Sequence, residues 1–206
     1  MTAAVEAVPL AAEDVDDAAR VLVRAFADDP IARFVVPGAT DWSRVGPSLA
    51  TTVVRFARRW GRPLVTADGV RGVALWFPPE PGEEPSLWEL VGAGLLTVPF
   101  RLGLGATNRA VRLVSHVERH HATLAPGPHW YLAILATDPD HQRQGIGRAL
   151  MAPVLATADR DRHACYLESA TAANTRYYER HGFRVVGESD VPDSDLHVWM
   201  MRRDPV

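Results

Sequence analysis

The chain has no lysine; all 22 of its basic residues are arginine. A phosphate-binding loop of the G-x-x-x-x-G-K-[ST] type is therefore excluded, and so is a lysine base or Schiff base. There is one cysteine, Cys165. It cannot form an intrachain disulfide, and its place in an apolar run makes it a core residue, not a nucleophile. No block of basic residues interleaved with aromatics is present, and the net charge is −3, so no nucleic-acid surface is expected. The start of the chain lacks a basic segment followed by an apolar run, which predicts no signal peptide and a cytoplasmic location. The most apolar stretch, Leu87 to Gly105, is broken by Glu89, Pro99 and Arg101. It is too short for a membrane span and is expected to form core or pocket-covering helices. His116, His120 and His121 lie close together, but no second cluster of Cys, Asp or Glu accompanies them. They are read as ordinary surface histidines near a helix C-terminus, and no metal is expected.

What is present suits one large domain. The chain has 206 residues, 47% of them apolar, ample for a core. A single domain over residues 1–206 is expected, with a helical insertion at about 86–125. Val5 to Leu10 is a candidate strand. A helix follows from about Val15 to Ala27, stopped by Asp29-Pro30. A second helix is predicted from Trp42 to Trp60. Pro63 to Thr66 and Gly72 to Phe77 form a hairpin around Ala67-Asp-Gly69. Ala110 to His121 reads as an amphipathic helix with Val111, Val114 and Val117 inward. The order β-α-α-β-β, helical insertion, β-α-β-α-β-β predicts an α/β fold: a mixed sheet with helices on both faces.

The most informative stretch is Leu135 to Ala149. Tyr131 to Thr137 is an apolar run of strand length, ended by Asp138-Pro139. Gln142-Arg-Gln-Gly-Ile-Gly147 is a polar, glycine-bearing turn, and a helix opens at Arg148, with Pro153 expected in or near its first turn. Such a loop presents backbone N–H groups at a positive dipole end, a site for a phosphate or pyrophosphate. A dinucleotide fingerprint requires a third small residue where Leu150 stands, and no acidic ribose partner follows at the expected distance. The Q/R-x-x-G-x-G/A loop that holds the pyrophosphate of coenzyme A is matched by Gln142, Gly145 and Gly147. Downstream, Ala164 to Ser169 reads as a strand. In Asn174-Thr-Arg-Tyr-Tyr-Glu-Arg-His-Gly-Phe183, Asn174 and Tyr178 stand four apart, on one helix face. Gly182 sits where a C-cap glycine belongs.

These two motifs, in this order, resemble the GNAT superfamily of acetyl-CoA-dependent N-acetyltransferases. Ala25 to Pro30, Thr137 to Gln142, Leu167-Glu-Ser169 and Tyr177 to Arg180 also resemble puromycin N-acetyltransferases and their actinobacterial relatives. The likeness does not extend over about Pro79 to Pro128, so the acceptor does not transfer with it. The resemblance implies a mostly antiparallel central sheet in which two strands splay apart to hold the cofactor. It implies acetyl-CoA as cosubstrate and no metal. Leu135, Ala136 and Thr137 would line the wedge, with a backbone N–H near Leu135 polarising the thioester carbonyl. The backbone of Gln144 to Arg148, with Gly145, Ile146 and Gly147 between, would take the pyrophosphate, and Arg143 and Arg148 would add charge. Asn174 would reach the pantetheine or phosphate portion.

Tyr178 is the expected general acid for the departing thiolate, and Tyr177 is expected in the core. Glu168 is a carboxylate in an apolar strand, where burial raises its pKa toward neutrality; it is the candidate general base, direct or through a water, with a structural hydrogen bond as its other reading and His116, His120 and His121 as reserve bases. The acceptor is expected to be a small-molecule amine. A protein or peptide amine, or a non-catalytic acyl-CoA sensor, remains the alternative. No nucleic acid or membrane partner is expected, and a homodimer is the assembly this reading allows.

Overall fold

The computed structural model describes residues 5–79 and 98–206. The elements run β1 (Ala7–Pro9), α1 (Val15–Ala25), α2 (Pro30–Val35), α3 (Ala39–Trp60), β2 (Arg62–Thr66) and β3 (Gly72–Phe77). They continue α4 (Val98–Leu124), β4 (His129–Thr137), α5 (Ile146–Asp161), β5 (Ala164–Ser169), α6 (Ala172–Glu179), β6 (Arg184–Asp190) and β7 (His197–Arg203). The seven strands form one sheet in the order β1-β2-β3-β4-β5-β7-β6. Only β4 and β5 are parallel; the other neighbours are antiparallel. This is the mixed, mostly antiparallel α/β architecture predicted. The parallel pair requires a crossover, and α5 supplies it.

Alternation along the strands sends side chains to two cores. On one face Trp76, Trp130, Leu132, Cys165 and Leu167 pack against Ile146, Leu150 and Val154 of α5 and Tyr178 of α6. Burial pushes the Cys165 thiol up to about 12, which makes it a packing group and not a thiolate. On the other face Val65, Val73 and Leu75 meet α1 and α3. Further along, Tyr166, Val198 and Met200 meet α2 and α4. Gly72 allows the start of α5 to approach the sheet: a Cβ there would lie 2.4 Å from the Ile146 side chain. Arg203 at the end of β7 ties to Asp159 of α5 through two 2.7 Å hydrogen bonds.

Three local expectations change. Asp29-Pro30 ends the first helical segment and also starts α2, because the Asp29 carboxylate accepts from the backbone N–H of Ile31 at 2.8 Å and of Ala32 at 3.3 Å. Pro153 lies inside α5, not in its first turn. In α4 the inward stripe is Ala106, Ala110, Leu113, Val117 and Leu124, at helical spacing, while Val111 and Val114 face outward at 59% and 52% exposure. Alanine contributes little apolar signal, so the valines dominated the sequence pattern. Part of the apolar Leu87 to Gly105 stretch lies outside the described residues; within the rest, Phe100 and Leu104 are exposed, not core. Among the described residues no helix is long and apolar enough to cross a membrane.

Candidate functional site

β4 and β5 are paired only through His129↔Ala164, Trp130↔Cys165 and Tyr131↔Tyr166. Beyond Tyr131, β4 keeps its partner β3 on one side and has no ladder to β5 on the other. A register shift accompanies the parting: Leu75 pairs Ile134 and Trp76 pairs Leu132, so Ala133 is an extra residue on β4. Such a bulge bends and twists the strand that carries it. The result is a wedge whose β4 side, from Leu132 to Thr137, retains backbone hydrogen-bonding groups with no strand opposite.

The wedge opens into a cleft of about 500 Å³. Leu135, Ala136 and Thr137 line it from β4, and Gln142, Arg143, Gly145, Ile146, Gly147 and Arg148 from the loop and first turn of α5. Asn174 and Tyr178 line it from α6, as their shared helix face predicts. Gln144, also expected at the phosphate end, points its side chain elsewhere and is exposed. The start of α5 is suited to an anion. Its N-cap is Gly145, in a left-handed conformation (φ 81°), with no side chain satisfying the first N–H groups. Arg143, two residues earlier, is also left-handed at φ 61°.

The two glycines serve different needs. Gly145 has open space where a Cβ would stand, so its backbone angle demands glycine, not crowding. At Gly147 a Cβ would lie 2.5 Å from the Tyr177 hydroxyl. Tyr177 is therefore not the plain core residue expected: it is half-buried, lines the cleft and seats its hydroxyl against the α5 turn. The loop is braced from α1. Asp138 caps the turn by accepting from the Asp140 N–H at 3.0 Å, and Arg24 bridges both carboxylates, 3.3 Å from Asp138 and 2.7 Å from Asp140.

Tyr178 is almost fully buried, yet reaches the cleft. Burial, then the neighbouring Tyr177 and Asp29, push its phenol pKa up, so the group stays protonated across the working pH range. Asp29 was not singled out by sequence. It lines the cleft because its carboxylate caps α2, and its Asp-Pro signal was present but read only as a helix stop. Phe26 and Arg180 also line the cleft; both lie in segments that carried the narrower resemblance, which gave them no role.

Glu168 lies outside this lining, on the other face of the splayed pair. It is two residues past the last β4–β5 pairing, and its side chain is 8% exposed. Burial pushes its pKa up to about 7 against the opposing pull of the Tyr131 and Tyr166 phenols. Its Oε1 has no hydrogen-bond partner among the described residues. His121 approaches Oε1 to 4.0 Å and stacks on Tyr166 with ring centroids 4.3 Å apart. Burial and then His129 lower the His121 pKa to about 4. His116 is 5% exposed. These two histidines thus face inward, contrary to the surface reading, because the α4 stripe turns them toward β4 and β5. No group of three or more metal-ligating side chains occurs among the described residues.

Residues 109–185, from α4 to β6, match the family model of the acetyltransferase (GNAT) domain. The chain is 25% identical over 179 residues to an uncharacterized N-acetyltransferase of Schizosaccharomyces pombe, covering 84% of this chain and 71% of that one. Among solved structures it superposes on a Corynebacterium glutamicum protein described as histone acetyltransferase HPA2 and related acetyltransferase. The TM-score is 0.70 at 24% identity, over 98% of this chain and 97% of that one. It also superposes on arylalkylamine N-acetyltransferase 2 of Aedes aegypti, with a TM-score of 0.64 at 15% identity, over 97% and 98% of the two chains. The family-model match bears out the GNAT resemblance over residues 109–185, and the superpositions bear out the fold; none reaches the narrower resemblance to puromycin N-acetyltransferases.

Proposed function

We infer that this GNAT acyltransferase uses acetyl-CoA as donor and transfers the acetyl group directly to the amine of a small molecule, within one domain that carries a helical insertion. The observation that carries the reading is a convergence. The unpaired edge of β4, the uncapped start of α5 and the Tyr178 phenol all line one cleft. Acetyl-CoA supplies an activated acyl group as a thioester; the chain supplies position and proton management.

The free edge at Leu135 to Thr137 suits an extended amide-bearing arm, which it would hold by strand-like hydrogen bonds. A β4 N–H near Leu135 would polarise the thioester carbonyl. The N–H groups at the start of α5 suit the pyrophosphate, with Arg143 and Arg148 at its edge and Asn174 over the arm. Tyr178 gives its proton to the departing sulfur. In water a phenol near pKa 10 and a thiol near 8.5 make that transfer uphill by about 2 kcal/mol; a desolvated thiolate narrows the gap. Glu168, with a pKa near neutrality, accepts the proton that an ammonium acceptor must lose. The neighbours' names divide, the Corynebacterium glutamicum one referring to a histone and the Aedes aegypti one to arylalkylamines, so the choice of a small amine is left to the acceptor panel.

The test is thiol release from acetyl-CoA across a panel of small amines and peptides. Acceptor-dependent release with small amines is the expected result. Saturable acetyl-CoA binding without release for any acceptor would make the protein a sensor.

A further inference from the structure

We propose that His121 and His129 form a two-imidazole relay that carries the proton taken up at Glu168 out to solvent. The relay rests on Glu168 acting as the base. Hydrogen-bond polarity sets its direction. The Gly127 carbonyl can only accept, so His129 Nδ1, 2.8 Å from it, carries a hydrogen. A neutral His129 then presents a lone pair at Nε2. His121 Nε2 lies 2.6 Å away and must donate to it. That leaves His121 Nδ1 as an acceptor, and Nδ1 is the atom that faces Glu168 Oε1 at 4.0 Å. Each link thus has its donor on the Glu168 side and its acceptor on the outer side once Glu168 is protonated.

Burial follows the same direction. The Glu168 side chain is 8% exposed and that of His121 is 22% exposed. His129, at the start of β4, is half-buried, and the Gly127 carbonyl that it meets belongs to an exposed turn. Stacking on Tyr166 and a 4.8 Å centroid contact with Tyr131 fix the plane of the His121 ring. The other ionisable groups around the chain are the phenols of Tyr131 on β4 and Tyr166 on β5, with Glu118 of α4 acting on Tyr131. Burial raises both phenols, so neither competes for the proton as a base at neutral pH.

The transfers balance. The Glu168 O–H bond breaks as an Nδ1–H bond forms on His121, after the two side chains close from 4.0 Å to hydrogen-bond distance. The His121 Nε2–H passes to His129 Nε2. His129, now holding two hydrogens, parts from the Gly127 carbonyl and releases the Nδ1 hydrogen to water at its half-buried edge. Glu168 is returned to its carboxylate and both rings are neutral; each regains its starting tautomer between cycles by exchange with water, gaining a proton at the nitrogen that gave one and losing one at the nitrogen that took one. A positively charged His121 is disfavoured, so the proton passes through it without residing there.

The experiment measures kcat in dilute buffer for His121→Phe, His129→Ala and Glu168→Gln, with acetyl-CoA affinity as a control. Phenylalanine keeps the stack on Tyr166 and removes both nitrogens. If it lowers stability, His129→Ala at the half-exposed end carries the test alone. Each histidine variant should lose about tenfold in kcat with unchanged acetyl-CoA binding, less than the 10²–10⁴ of a lost base. Added imidazole should restore His129→Ala in proportion to its concentration and should not restore Glu168→Gln. Full kcat in His129→Ala at low buffer overturns the relay, and so does a loss that imidazole leaves unchanged. If Glu168→Gln keeps full activity at every pH, the base assignment itself has failed; a slow Glu168→Gln beside a fast His129→Ala removes the relay alone.

Discussion

Tyr177 and Tyr178 are adjacent on α6 and differ in what their hydroxyls meet. The buried Tyr178 lines the cleft, where we propose that its hydroxyl gives a proton; the hydroxyl of Tyr177 packs against Gly147. Tyr178→Phe keeps the ring against Phe183. It should leave acetyl-CoA affinity intact and lower kcat by about 10²–10⁴. Stopped-flow traces with acetyl-CoA and with a thioester of a more acidic thiol check this, since the better leaving group should show a smaller defect. A raised KM with intact kcat would instead make Tyr178 a binding contact. Gly147→Ala tests the neighbour. Its new methyl would sit 2.5 Å from the Tyr177 oxygen, so denaturant unfolding should show a loss of about 1–3 kcal/mol. Tyr177→Phe removes that oxygen and should recover most of the loss in the double variant. Additive losses would mean that the two residues do not compete for this space.

At the level of elements, α5 connects the cleft to the rest of the fold. Its first turn ends in the cleft, its body fills one core, and Asp159 in its last turn is held by Arg203 of β7. The Arg203 guanidinium keeps the Asp159 carboxyl below its ordinary range. The helix closes on Arg162 in the left-handed conformation at φ 59°, where an L side chain is strained and glycine is not. Arg162 is exposed. Arg162→Gly should therefore raise the stability by about 0.5–1 kcal/mol, read as a higher midpoint in thermal unfolding. A lower midpoint would show that the arginine's charge near Asp159 outweighs the backbone strain. α4 differs: it is kinked at Gly103 (φ 76°, ψ 164°), and beyond the kink Leu113, Val117 and Leu124 pack into the cluster that holds Tyr166, with His121 stacked on Tyr166 and facing Glu168.

For the whole molecule, that α4–β5 contact sets a distinctive pH response. Glu168 is pushed up from 4.5 to about 7, so folding loses stability as pH rises through that window. His121 is pushed down from 6.5 to about 4, so folding loses stability as pH falls through its window. Between 4.5 and 6.5 the unfolded chain holds one proton on the histidine, and the folded chain holds one on the glutamate. The pair therefore contributes almost no slope there. Removing either member exposes the other. His121→Phe should make stability fall as pH rises from 4.5 to 6.5, and Glu168→Gln should make it fall as pH drops over the same range. The slope approaches about 1.4 kcal/mol per pH unit for one whole proton. Denaturant midpoints at half-unit pH steps measure it; parallel curves for all three proteins would refute the opposed shifts.

The amino-acid sequence by itself determined most of the strands and helices and the glycine-bearing loop before α5. Local patterns encode these: short apolar runs, buried almost throughout, in β2 and β3, and Gly145 where the backbone turns left-handed. The same is true of the pairing of Asn174 with Tyr178 on one face of α6. Only the tertiary structure decided where β4 leaves β5, because a ladder's end depends on the bulge at Ala133 and on what each strand packs against. It placed Asp29 in the cleft through a cap on a six-residue helix too short to show periodicity. It turned Val111 and Val114 outward and His121 inward, since the face of α4 that carries Ala106, Ala110, Leu113 and Val117 is chosen by the surface that meets it. And it set Glu168 beside two phenols and an imidazole from three elements, a juxtaposition of residues up to 47 positions apart for which no local pattern exists.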